Sequence, residues 1–192
     1  MPRVTQALII ANALAFFMQA AGSGALFTTF ALWPVGEQFA PWQVVTYAFL
    51  HGSVSHLVFN MFGLYMFGQD LERVWGPQRY LLYYTVSVVS AAVVQLAFAA
   101  WSGSPFPTVG ASGGVFGLLL AFALYFPQRR VMLLIPPIPM PAWLFATLYG
   151  MVELVLGVTG TASGVAHFAH LGGMLGGGLL IWHWRTNGRR RA

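Results

Sequence analysis

The sequence predicts an all-α, polytopic membrane protein: one domain over residues 1–192, six spanning helices and both termini in the cytoplasm. Three observations carry this. Of the 192 residues, 58% are hydrophobic and only 7% are charged, whereas a soluble domain is about a quarter charged. The apolar residues fall into six runs, roughly 5–27, 48–69, 78–101, 112–127, 140–158 and 165–184, and a spanning helix takes about 20 residues. All nine basic residues are arginines, and six crossings put every one of them on the same side.

The elements follow in order. Arg3 and the apolar run from Ala7 to Ala21, ending in Ala21-Gly22-Ser23-Gly24-Ala25, resemble a signal peptide with a small-residue cleavage site. The run is long for that purpose, and Ala/Gly-rich ends suit a retained, closely packed helix. The 28–47 loop carries no arginine, and its Trp33, Phe39, Trp42 and Tyr47 are expected at interfacial depth. After the second helix, Arg73 and Arg79 flank the Trp75-Gly76-Pro77 turn. The third helix ends at Ser102-Gly103-Ser104-Pro105, and the short fourth requires neighbours to shield its ends. A loop with Arg129, Arg130 and Pro136, Pro137, Pro139 and Pro141 leads into the fifth. The sixth runs into Arg185, Arg189, Arg190 and Arg191.

Loops 28–47, 102–111 and 159–164 contain no Lys or Arg, which is the positive-inside pattern. The net charge of +5 therefore reads as an orientation signal and a contact for membrane lipid headgroups. It does not read as a nucleic-acid site. Without cysteine, disulfides and thiolate chemistry are excluded.

Polar side chains inside a membrane are costly and mark candidate sites. His51, His56, His167 and His170 fall toward the arginine-free side, while His183 falls near the opposite end of the last span. His56 and Asn60 are four apart, so they share a helix face, and both can donate hydrogen bonds. Interhelical bonding alone would also explain that pair. Ser112, in Gly110-Ala111-Ser112-Gly113, opens the fourth helix, where free backbone N–H groups and a positive dipole end can support an oxyanion. From that motif alone, an N-cap serine followed by small-residue packing is the simpler account.

His170 precedes Gly172, Gly173, Gly176 and Gly177, whose four-residue spacings allow backbone-close packing against a neighbour. A histidine beside that face could reach a serine and serve as its base. His167 is the rival, nearer the surface and outside the glycine pattern. Glu37 and Glu153 stand on different elements, and Asp70 and Glu72 lie on the arginine side, so a serine–histidine dyad is the economical proposal. Phe116, one turn after Ser112, could lie against the imidazole, although core packing explains it as well. Glu153 is left without a role beyond a neutral, hydrogen-bonded one. No His-Glu-x-x-His motif, cysteine ligand or acidic pair accompanies the histidines, so no metal and no cofactor is expected. Paired charges and repeat symmetry, the marks of a transporter, are likewise missing from the sequence.

Taken in order, these residues resemble the rhomboid family of intramembrane serine proteases. The resemblance runs from Trp42 to Gly177 through Trp42-Gln43-Val44-Val45-Thr46, His51, His56-x-x-x-Asn60, Glu72 with Gly76, Gly110-x-Ser112-Gly113 and Ala169-His170-x-x-Gly173-x-x-x-Gly177. It implies a six-helix core of the minimal, bacterial type, with Ser112 as nucleophile and His170 as general base and acid. His56, Asn60 and the Ser112 N–H are implied as the oxyanion site. The implied partners are single-span transmembrane proteins, cut at a cavity that opens to the non-cytoplasmic side of a bacterial inner or plasma membrane. Some family members carry Trp-Arg where this chain has Trp42-Gln43, so an arginine contact in the first loop is lost. The competing view of the same motifs is a non-catalytic rhomboid-like protein that binds membrane clients.

Overall fold

A computed structural model describes residues 1–22, 24–132, 137–160 and 165–188. The helices are α1 (Arg3–Ala21), α2 (Ala25–Phe30), α3 (Gln43–Thr46), α4 (Val54–Gly63), α5 (Gln69–Trp75), α6 (Pro77–Ser102), α7 (Ser112–Tyr125), α8 (Ala142–Thr159) and α9 (His167–Gly188). A 3₁₀ turn, Tyr47–Phe49, follows α3, and a π turn, Leu64–Gly68, joins α4 to α5. The only ladder among the described residues is the antiparallel pair β1 (Arg130–Met132) and β2 (Pro139–Pro141), with Val131 opposite Met140. The chain is an all-α membrane protein: α1, α6 and α8 are each long and apolar enough to cross a bilayer, and α7 is a shorter apolar helix.

The centre is made by α6, α7 and α9, and small residues set how closely they approach. A Cβ built on Gly173 of α9 would stand 1.9 Å from the Gly113 carbonyl oxygen of α7, and one on Gly117 would meet Ser87 Oγ of α6 at 2.2 Å. Gly172 and Gly176 face Val94 and Ser90 of α6 in the same way. The glycine spacings thus do what the sequence predicts, bringing backbone against backbone where apolar side chains give no net drive for association in lipid. Polar links cross the same seams: Tyr83 O–H donates to the Gly117 carbonyl and Ser90 O–H to the Gly172 carbonyl, each at 2.8 Å.

One expected boundary moves substantially. The run expected over 48–69 becomes a loop through Ser53 and then the α4–π–α5 rod. Ser53 is the reason: its Oγ accepts from the His56 N–H at 3.1 Å and caps α4. The long aromatic loop is also less uniform than its composition suggests. Trp42 is exposed, but Tyr47 is buried, and its O–H donates to the Val88 carbonyl at 2.9 Å. Tyr47 is therefore a core residue and not an interfacial anchor. Gln43 is buried beside it, accepting from Trp33 N–H and donating to the Thr29 and Gln38 carbonyls. An uncharged amide with donors and an acceptor ties this loop together without an arginine.

The arginine-bearing ends gather at one end of the bundle. Arg129, in the loop after α7, pairs with Asp70 in the first turn of α5, Arg73 donates to the same carboxylate, and Arg79 lies 4.0 Å over the Trp184 ring. The start of α1 joins them through Glu72, whose carboxylate accepts from Val4 N–H at 2.9 Å and from both Thr5 N–H and Thr5 O–H at 2.7 Å. An anion at the first turn of a helix satisfies its free N–H groups and its dipole. Glu72→Ala should therefore loosen α1 and lower stability by about 3 kcal/mol. Equilibrium unfolding in mixed micelles measures it, and an unchanged midpoint would remove this tie from the account.

Candidate active site

The opposite end of the bundle holds Ser112 and the histidines His51, His56, His167 and His170. Ser112 is the first residue of α7, and the loop before it is pinned by Gly110 N–H donating to the Tyr47 carbonyl at 3.0 Å. Gly110 has φ +125°, and a Cβ there would meet His56 Cε1 and Nε2 at 2.7 Å and Asn60 Nδ2 at 3.8 Å. Only glycine serves both demands, a positive φ and a backbone laid against an imidazole. His56 and Asn60 share the α4 face expected of an i, i+4 pair, and Asn60 Nδ2 donates to the His56 carbonyl at 3.1 Å. That leaves the second amide hydrogen for other work. Ser112, His56, Asn60, His170, Phe116 and Glu153 all line one cavity of about 640 Å³.

His170 stands one turn into α9, and the Gly173–Gly113 contact brings it across to α7. Its Nε2 lies 2.7 Å from Ser112 Oγ. Phe116 stacks on the imidazole, with ring centroids 4.3 Å apart and planes 4° from parallel. The phenyl ring is thus both a core residue and a guide that holds the plane of the histidine. His167, one turn earlier, makes no bond to Ser112: its Nδ1 faces Glu153 at 2.6 Å. His51 is buried and meets His56 edge to face at 5.0 Å. His183 is exposed near the arginine end of α9, against Asn187.

One sequence expectation is overturned here. An acidic group does stand beside the pair: Glu153 Oε2 lies 2.8 Å from His170 Nδ1. Seventeen residues and a helix boundary separate them along the chain, so no local spacing reveals the contact. A signal was nonetheless present, because a lone carboxylate within an apolar helix needs a partner, and α9 offers two histidines on one face.

Glu153, His167 and His170 also offer three ligand-type atoms within 4.8 Å of one another, a cluster the sequence did not bring together. Two ligands on one tetrahedral zinc, at bond lengths of about 2.0–2.1 Å, would sit about 3.3 Å apart. The observed separations of 2.6 and 2.8 Å are hydrogen-bond distances instead.

The family model for the Rhomboid domain matches residues 38–186. Rhomboid protease GluP of Bacillus subtilis is 29% identical over 136 residues, covering 71% of this chain and 24% of the relative. Rhomboid protein 1, mitochondrial, of Saccharomyces cerevisiae is 30% identical over 150 residues, covering 73% of this chain and 41% of the relative. Rhomboid protease GlpG of Pectobacterium atrosepticum is 28% identical over 188 residues, covering 96% of this chain and 63% of the relative. The chain spans less than two thirds of the length of each. The domain match takes in α3 to α8, α9 as far as Thr186 and every residue lining the cavity just described, and the chain belongs to the rhomboid family.

Proposed function

We propose that this chain is an intramembrane serine endopeptidase that hydrolyses a peptide bond in or near the transmembrane segment of single-span membrane proteins. The observation that carries the reading is the 2.7 Å approach of His170 Nε2 to Ser112 Oγ at the wall of a cavity. His170 takes the hydroxyl proton as Ser112 attacks the carbonyl carbon, then gives it to the leaving amine. Water repeats the sequence on the acyl-enzyme. The tetrahedral oxyanion is held by the Ser112 N–H, the Asn60 amide and the His56 ring, all neutral donors suited to a site of low dielectric.

A carbonyl within an intact helix is already hydrogen-bonded, so the substrate helix unwinds locally before it is cut. The arginine-bearing end, with both termini, faces the cytoplasm, and the cavity opens to the other side of the bacterial membrane. The six crossings are then α1, the α4–α5 rod, α6, α7, α8 and α9.

The test uses purified protein in liposomes with a model single-span substrate. Two fragments whose masses add to the substrate plus one water support the reading, as does fluorophosphonate labelling mapped to Ser112. Retention of intact substrate by a protein that resists the fluorophosphonate would instead establish client binding without catalysis.

A further inference from the structure

We propose that Glu153 is a positioning residue for the Ser112–His170 pair, and that His167 holds its carboxylate in place. The inference rests on the hydrolase reading above and goes beyond the dyad that the sequence suggests. A carboxylate accepts hydrogen bonds and donates none. Glu153 Oε2 lies within bonding distance of two imidazole nitrogens, 2.8 Å from His170 Nδ1 and 2.6 Å from His167 Nδ1. One oxygen can satisfy both only if each Nδ1 carries its hydrogen.

That arrangement decides the tautomer of His170. With hydrogen on Nδ1, the lone pair sits on Nε2 and faces Ser112 Oγ at 2.7 Å. The other tautomer would donate toward the serine oxygen and leave the hydroxyl without a base. Orientation is set in the same stroke. Phe116 holds the plane of the imidazole by stacking, and the bond to Glu153 stops the ring from turning within that plane. When His170 accepts the serine proton, its second N–H points at a carboxylate in a buried setting, where opposite charges interact strongly.

His167 completes the arrangement. It lies one turn before His170 on the same face of α9, and it grips the same oxygen from the other side. A buried carboxylate with a single donor is poorly solvated, so the second imidazole helps to keep Glu153 where His170 needs it. Three residues from two helices thus act as one polar unit behind the nucleophile.

The test compares wild type, Ser112→Ala, Glu153→Gln and His167→Ala in liposomes, with cleavage of a single-span substrate and the fluorophosphonate labelling rate as readouts. The amide has the shape of the carboxylate, but it carries no charge to face the imidazolium and one of its two ends is a donor instead of an acceptor. Glu153→Gln is expected to lower kcat on the order of 10²-fold. KM should stay within about twofold, and labelling should slow by the same factor as kcat. His167→Ala should cost about fivefold, the effect of one weakened hydrogen bond. If Ser112→Ala is inactive while Glu153→Gln keeps wild-type kcat and labelling, the positioning role is overturned and the protease reading stands. If Ser112→Ala cleaves, the protease reading itself fails.

A second measurement needs no Glu153 variant. Histidine ¹⁵N shifts of the folded protein, assigned by loss of signal in His170→Ala, report the tautomer directly. Hydrogen on Nδ1 of His170 is expected, and hydrogen on Nε2 overturns the proposal.

Discussion

Ser112→Ala is expected to lower kcat for a single-span substrate by at least about 10³-fold, and His170→Ala to do the same. Each removes one end of the 2.7 Å contact through which, on the proposed mechanism, the serine proton leaves. Without the hydroxyl there is no acyl-enzyme. Without the imidazole the hydroxyl remains a weak nucleophile. The two residues act as a unit, so the double variant should lose little more than either single one. KM should change little, because the apolar wall of the cavity, including Phe59, Met66 and Leu119, is untouched. Progress curves in liposomes, with fragment masses, compare wild type, the two single variants and the double variant. Cleavage by Ser112→Ala at a rate near wild type would remove the serine mechanism.

Gly173→Ala should be nearly as damaging, although its methyl group touches no substrate. Its Cβ would fall 1.9 Å from the Gly113 carbonyl oxygen, and the obstacle is backbone, which cannot rotate aside. α9 and α7 must therefore separate by more than an ångström, and they are the helices that carry His170 and Ser112. Overpacking of this kind costs about 1–3 kcal/mol, with rigid backbone contacts at the upper end. A misplacement of about 1 Å between reacting groups costs on the order of 10²-fold in rate. Gly150→Ala on α8 is the control, since a Cβ there meets only the flexible end of Met174, Sδ at 3.6 Å and Cε at 3.7 Å, both ordinary contacts. Thermal unfolding in detergent and labelling of Ser112 report the two effects. A Gly173→Ala protein with wild-type melting and labelling would show that the close seam does not govern the site.

The residues that announce themselves in sequence are those whose constraint is local. Hydropathy marks the spans because lipid supplies no hydrogen bonds to a backbone. Gly172, Gly173, Gly176 and Gly177 are legible because a four-residue period of small residues suits a tight helix seam. His56 and Asn60 are legible as a pair through the same periodicity. Tyr47 was misread because an aromatic in a loop has the same composition whether it anchors at an interface or turns inward to the Val88 carbonyl. The apolar run expected from residue 48 becomes helical only at Val54, because hydropathy does not register Ser53, whose side chain caps the helix there. In sequence Gln43 stands out only as the absence of an arginine, although its amide holds three partners at once.

By itself the sequence determined the family, the membrane setting and the clustering of the arginines, and it singled out Ser112 and His170 as candidates, because each is written in composition or in motifs a few residues long. Only the tertiary structure decided what stands behind His170. Glu153, His167, Phe116 and Ser112 come from three helices, and their meeting depends on how closely α7, α8 and α9 approach. A hydrogen bond is decided over tenths of an ångström, and that distance is set by the packing of backbones far apart in the chain, which no local pattern encodes.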